Sequence, residues 1–164
     1  MAPADQTWSQ AAHIVARTKV CIRLEKGTLN GMPWPPYDTE SLWADVDEPV
    51  EATLLNSPFF AKGLSYLDKL EIDESGPNDV AKVLGVLAHS GHGTIRAILT
   101  TTKMMSQADS AIEEIERLGR TWESDGGAVL AIDVPPKVRS QDVLTVLNAA
   151  QAKGLLYVDV GFLP

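Results

Sequence analysis

Hydrophobic and polar positions alternate with a period of two over Lys19–Glu25. Val20, Ile22 and Leu24 fall on one side, Cys21, Arg23 and Glu25 on the other, which predicts a half-buried strand. The same alternation predicts a hairpin from Glu40–Val46 and Val50–Leu55, turned at Asp47-Glu48-Pro49. Leu42, Ala44 and Val46 would meet Val50, Ala52 and Leu54 on its inner face, leaving Trp43, Asp45 and Glu51 on the outer one. Between these strands, Lys26–Asp38 is rich in Gly and Pro and reads as a loop. Its Trp34 and Tyr37 need apolar cover, so it should pack down on the sheet. Asn56-Ser57-Pro58 breaks the pattern, Phe59 and Phe60 read as core, and Leu64–Ile72 reads as another strand.

Two further apolar runs, Val83–Ala88 and Ile95–Leu99, flank Ser90-Gly91-His92-Gly93 and predict two strands joined by a tight turn. A four-residue turn would set His89 opposite Thr94 and Leu87 opposite Arg96. His89, Thr94 and Arg96 would then share one face, with Leu84, Val86, Ala88, Ile95, Ala97 and Leu99 on the apolar one.

The rhythm becomes helical from Ser106, where Ala108, Ala111, Ile112, Ile115 and Leu118 recur at helical spacing. Ser106 with Asp109 resembles a capping box, Glu113 and Arg117 pair at i,i+4, and Gly119 suits the stop. Ala128–Val134 is an apolar run ended by Pro135-Pro136 and reads as a buried strand. Ser140 is the expected cap of a second helix carrying Val143, Leu144, Leu147 and Ala150 and closed by Gly154; Leu155–Leu163 is the last strand.

These elements predict an α+β protein. Residues 13–73 form a β-barrel-like or β-sheet portion and residues 80–164 a ferredoxin-like α/β portion with helices on one face of a small sheet. Met1–Ala12 reads as a frayed start, and the short polar Asp73–Asp79, carrying Gly76-Pro77, as the boundary or a simple loop. The two portions can also form one continuous domain.

Composition narrows the class of function. The 164 residues are 45% hydrophobic and 22% charged, as in ordinary globular proteins, and the net charge of −8 argues against general nucleic-acid binding. The acidity is uneven: between Lys26 and Lys62 there is no Lys or Arg, while Asp38, Glu40, Asp45, Asp47, Glu48 and Glu51 fall there. Such a stretch serves solubility, or it steers a basic partner. Cys21 is the single cysteine, so no internal disulfide forms, which fits a reducing cytosol. Met1–Gln10 lacks a signal-peptide pattern and no apolar run is long enough to span a bilayer, so a cytoplasmic protein without membrane association is expected.

Candidate chemistry concentrates at the central turn. His89 and His92 are two potential metal ligands, but no cysteine or carboxylate completes a set within the turn, and no metal or cofactor is expected. Ser90 lacks the strand-turn-helix elbow of a serine nucleophile, so no catalytic residue is assigned. Anion binding is the more reasonable activity: Gly91 and Gly93 free turn N–H groups, with His89, His92, Thr94 and Arg96 beside them. The alternative is structural, with glycines serving positive φ and polar groups ending a strand. Asp133, ending its strand, is likewise a site residue or a partner for turn N–H groups. Trp43, ringed by Asp45, Asp47 and Glu51, is either a partner-binding anchor or a residue covered by the Trp34 loop.

Several segments together carry a resemblance: Trp34-Pro35-Pro36-Tyr37-Asp38-Thr39-Glu40-Ser41-Leu42-Trp43-Ala44, Asn56-Ser57-Pro58-Phe59-Phe60-Ala61, Ser90–Arg96, and Ala131-Ile132-Asp133-Val134-Pro135-Pro136. From about Val20 onward the chain resembles a bacterial family of small proteins catalogued as a domain of unknown function (domain of unknown function 4265). The resemblance implies a bacterial, soluble protein and brings no activity, cofactor or catalytic residue with it.

Two functions remain in view. The first is a non-enzymatic protein-binding protein of immunity type, which neutralises a bacterial toxin through its acidic surface by mimicking the polyanion a basic toxin attacks. The second is a small enzyme or ligand-binding domain that handles a phosphate or carboxylate at the Ser90–Arg96 turn.

Overall fold

The computed structural model describes residues 16–75, 78, 80–100 and 105–164. The expectations for Met1–Ala12 and for the start of the β-rich portion at His13 lie outside them.

Seven strands come first: β1 (Ala16–Arg23), β2 (Gly27–Leu29), β3 (Met32–Trp34), β4 (Thr39–Glu48), β5 (Glu51–Leu54), β6 (Lys69–Asp73) and β7 (Ala81–Ala88). Five of them close a barrel in the order β1-β4-β5-β6-β7, and β2 with β3 forms a small separate hairpin inside the expected loop. The period-two rule explains the filling. Val20, Leu42, Ala44, Ala52, Leu54, Leu70 and Ile72 point inward from alternate positions and are buried. The β4–β5 hairpin has the expected register, with Ala44 opposite Leu54 and Val46 opposite Ala52. A bulge between Val46 and Glu48 shifts the turn, so Val50 is exposed rather than inward. Trp34 and Tyr37 both pack against Phe60, at 5.5 and 5.3 Å between centroids, although Tyr37 stays largely exposed.

The rest comprises β8 (Gly93–Leu99), α1 (Met105–Arg117), β9 (Trp122–Ser124), β10 (Val129–Val134), α2 (Ser140–Ala152) and β11 (Leu156–Phe162). The strands form an antiparallel sheet in the order β11-β8-β10-β9. Ile95, Ala97, Leu130, Ile132 and Leu156 pack with Ala108, Ile115, Val143 and Leu147 of the helices. Ile98 and Val129, pointing the other way, belong to the barrel's core. The sheet is thus covered on both faces, and every residue of β8 is buried. Gly119 and Gly154, at φ of 74° and 73°, follow the two helices as expected. Ser140 is the first residue of α2 rather than its cap; Arg139 stands at the cap position with no side-chain bond. The Glu113–Arg117 pair forms at 3.3 Å, while the side chain of Ser106 lies outside the described residues. Among the described residues no helix is long and apolar enough to cross a membrane.

The central hairpin is corrected. β7 pairs with β6 and β1, whereas β8 pairs with β10 and β11. Ser90–Gly93 is therefore a crossover between two sheets, and His89 does not face Thr94, nor Leu87 Arg96. Glycines between apolar runs announce a change of direction, but the two runs need not pair with each other. For the same reason Asp73–Asp79 joins two strands of the barrel, and the chain changes sheet at Ser90. The strand expected over Leu64–Ile72 begins only at Lys69. Before it the chain turns tightly, with Leu67 at φ 64° and Asp68 N–H donating to the Ser65 carbonyl at 3.1 Å.

Candidate functional site

Arg96 extends from β8 toward the barrel and is fully buried. Its Nε and Nη2 donate to Asp159 Oδ2 at 2.8 and 2.5 Å, and Nη1 donates to the Ala61 carbonyl at 2.7 Å. Lys62 reaches the other oxygen of Asp159 at 3.2 Å. One residue away, Glu40 accepts the backbone N–H groups of Phe59, Phe60 and Ala61 at 2.6, 3.0 and 2.8 Å. Burial pushes the Glu40 carboxyl above its ordinary range, against the pull of those three N–H groups and of the Arg96 charge. Asn56 accepts the Trp43 N–H at 2.8 Å, so the whole Asn56–Ala61 strap is pinned to β4.

The crossover is held by carboxylates as well. Asp68, fully buried, accepts the N–H groups of Ser65 and Ser90 at 2.8 and 2.7 Å and lies 3.0 Å from His89 Nδ1. His92 Nδ1 lies 2.8 Å from Asp133 Oδ1, and burial raises the Asp133 carboxyl against the opposing effect of that histidine. The His89 ring stacks on Phe162 at 4.3 Å, and His92 meets Tyr66 edge-on at 5.3 Å. Gly91 has φ of 91°, which favours glycine, and a Cβ on Gly93 would crowd a Leu163 methyl at 2.9 Å and the Phe162 carbonyl at 3.1 Å.

The anion-binding set is thereby divided. His89, Gly91, His92 and Gly93 lie on the crossover, whereas Thr94 and Arg96 are inside, with Thr94 Oγ1 donating to Ser65 Oγ at 3.1 Å. An incoming anion would meet histidines already partnered by Asp68 and Asp133, and no free guanidinium. Ser90, His92 and Asp133 supply the residue types of a nucleophilic triad in a different arrangement. The Ser90 hydroxyl donates to the Tyr66 carbonyl at 2.7 Å and accepts the backbone N–H of His92 at 3.1 Å. Among the described residues no group of three His, Cys, Asp or Glu side chains is placed to hold a metal ion.

The second candidate face lies on the outside of the barrel. Trp43, Asp45 and Asp47 of β4 and Glu51 of β5 are spread along this hairpin, and Trp43 is 48% exposed, so the Trp34 loop does not cover it. The neighbouring strands bring the bases that this stretch of sequence lacks. Arg17 Nε approaches Asp45 at 3.5 Å, Lys69 Nζ approaches Asp47 at 2.5 Å, and Lys19 Nζ stands 5.0 Å over the Trp43 ring. The bonds from Lys69 and Thr53 hold the Asp47 carboxyl below its usual range. Glu51 faces Glu71 across the β5–β6 pair. Beside Trp43 a hollow of about 410 Å³ is lined by Arg17, Leu55, Asn56, Tyr66 and Glu123.

A family model described as Domain of unknown function (DUF4265) matches residues 40–158, most of the chain, including Trp43 and the Ser90–Gly93 crossover. The chain belongs to that family. No curated protein matches it. Among solved structures, this DUF4265 protein is similar to one described as a novel crystal structure of a hypothetical protein from Neisseria gonorrhoeae. The identity is 17%, the match covers 89% of this chain and 96% of that one, and the TM-score is 0.66. At that identity the likeness shows a shared fold.

Sequence reasoning missed two buried acids of this DUF4265 protein, Asp68 at the crossover and Asp159 beside Arg96. Asp68 follows Leu67 in a stretch read as strand, and Asp159 is one polar position in an alternating one. Their partners lie 22 and 63 residues away, so local pattern carries no trace of them. One signal was available: Arg96 falls in a run that is otherwise apolar, and a charge there requires an opposite charge nearby.

Proposed function

We propose that this protein is a non-enzymatic binding protein that engages a protein partner through the outer face of β1, β4 and β5, with Trp43 as the anchor. The observation that carries the reading is the half-exposed indole on a central barrel strand, framed by ion pairs that hold the surrounding side chains in place. A rigid aromatic beside a hollow is the kind of residue that dominates binding energy when a partner covers it. Asp45 and Asp47 already have Arg17 and Lys69, so their weight in binding is smaller than the acidic sequence implied.

An immunity-type role, neutralising a basic bacterial toxin, is the narrower form of this proposal. The net charge of −8 supports it through long-range attraction of a basic partner. A cytoplasmic location belongs to the same reading, supported by the free thiol of Cys21. On the fold, we read the second portion as ferredoxin-like; its support is the strand–helix–strand–strand–helix–strand succession with sheet order β11-β8-β10-β9. Handling of a phosphate or carboxylate at the Ser90–Arg96 turn has less support, because Arg96 and Thr94 are internal and both histidines rest on carboxylates.

The test compares immobilised wild type and Trp43→Ala for proteins retained from a lysate of the source organism. A partner held by wild type and lost from a folded Trp43→Ala supports the proposal. Equal retention by both contradicts it.

A further inference from the structure

The barrel is closed by a short seam. β1 and β7 run parallel and pair through Val20 with Ala81 and Cys21 with Lys82, after which β1 ends at Arg23 while β7 continues to Ala88. On its other side β7 stays paired with β6 as far as Ala88 opposite Lys69. From Val83 to Ala88, the β1-facing edge of β7 therefore has no strand partner among the described residues. A groove of about 610 Å³ opens at this place, with Val83 and Leu84 on one wall and Arg23 on the other.

Two properties distinguish this edge. The first is its apolar surface. The β6–β7 register skips at two places, leaving Leu84 and Leu87 without a partner on β6, and they are 59% and 49% exposed. Edges protected against pairing carry charges or proline along their length or are bent by bulges; β7 is bulged at Leu84 and Leu87, and both bulged residues are exposed and apolar. This one carries Lys82 at its start and then two leucines.

The second property is charge. In a chain of net charge −8, the groove gathers Arg23, Lys26 and Lys82 against a single acid, Asp38. Lys26 is occupied, 3.0 Å from Asp38 and donating to the Pro35 carbonyl at 3.2 Å. Arg23 and Lys82 are exposed and make no ion pair among the described residues, although Asp38 and Asp73 feel them at longer range.

We propose that the β7 edge is a strand-addition site for an extended peptide segment bearing acidic side chains. The backbone of Val83–Ala88 supplies the ladder hydrogen bonds, Leu84 and Leu87 cover the apolar side chains of the added strand, and Arg23 with Lys82 select carboxylates at the mouth of the groove. The site lies along the edge of β1 opposite the one paired with β4, which carries Trp43, and its test does not depend on a partner at Trp43.

The test uses the full chain, labelled with ¹⁵N, and two short synthetic peptides of alternating valine with glutamate or with lysine. Amide shifts and hydrogen exchange are followed in wild type and in Arg23→Glu/Lys82→Glu, whose exposed positions leave the core untouched. The proposal expects the glutamate peptide to slow exchange within Val83–Ala88 and to bind about tenfold more tightly than the lysine peptide. It expects the double reversal to invert that preference, and Leu84→Lys to weaken both peptides. Three results would overturn it. One is an absence of added protection in β7 with either peptide. Another is equal affinity for the two peptides. The third is β7 protection that grows with protein concentration alone, which would assign the edge to a second copy of the chain.

Discussion

Arg96 Nη2 lies 2.5 Å from Asp159 Oδ2, and the two residues face each other across the β8–β11 register on the side of the sheet turned to the barrel. Both are buried, and the remaining donor of Arg96 crosses to the Ala61 carbonyl of the barrel strap. The pair therefore joins the sheet to the barrel. Removing Arg96 leaves the buried Asp159 carboxylate with only the exposed Lys62 on its other oxygen, which costs more than replacing both members of the pair. Arg96→Met should destabilise the protein by about 3–5 kcal/mol, and Arg96→Met with Asp159→Leu should recover much of the loss. Urea titration measures both; a cost below about 1 kcal/mol for the single variant would contradict the burial of the pair.

Asp68 is the clamp of the crossover. Asp68→Ala leaves the N–H groups of Ser65 and Ser90 without their acceptor inside the protein, at about 1–3 kcal/mol each. The expected outcome is a marked fall in melting temperature together with faster amide exchange at Ser65 and Ser90. Unchanged exchange at both amides would remove Asp68 from this role.

Much of this architecture was legible in the sequence, and the reasons are local. Leu42, Ala44, Ala52 and Leu54 alternate, and Ala108, Ala111 and Ile115 recur at helical spacing, so each element declared its buried side. Alternation along β8 also separated Arg96 correctly from Ile95 and Ala97. What it could not tell is that the other side of that strand is covered too. A polar side chain on one face of a strand reads as solvated, and here the barrel replaces the solvent. The acidic β4–β5 hairpin shows the same limit: its bases, Arg17 and Lys69, arrive from strands that are neighbours in space alone.

Glu40 provides a test by pH. Its carboxyl is raised above the ordinary value of 4.5, so the folded protein holds this proton more tightly than the unfolded chain. The resulting stabilisation is fully present below 4.5 and is lost as pH rises through the folded-state value. The stability of wild type relative to Glu40→Gln should therefore decline as pH rises through that window, measured by urea titration at a series of pH values. A difference that grows with pH would contradict the dominance of burial over the three N–H bonds.

The core of the second portion predicts ordinary packing costs. Leu130 and Ile132 are buried against the helices, so truncating either to Ala should cost about 2–5 kcal/mol. Denaturant titration gives the number, and a loss below about 1 kcal/mol for both would contradict the packing of β10 described above.

The binding role of Trp43 is tested most directly by the kinetics of the partner complex. Carboxylates at an interface rim act on encounter, whereas a buried aromatic acts on lifetime. With the captured partner immobilised, Trp43→Ala should speed dissociation and weaken binding by about 2–4 kcal/mol. Asp45→Asn with Asp47→Asn should slow association slightly, because both acids are already paired within the barrel. A circular-dichroism melt first establishes that Trp43→Ala is folded. A faster dissociation rate is expected for that variant; unchanged association and dissociation rates in the folded variant would contradict a binding role for Trp43.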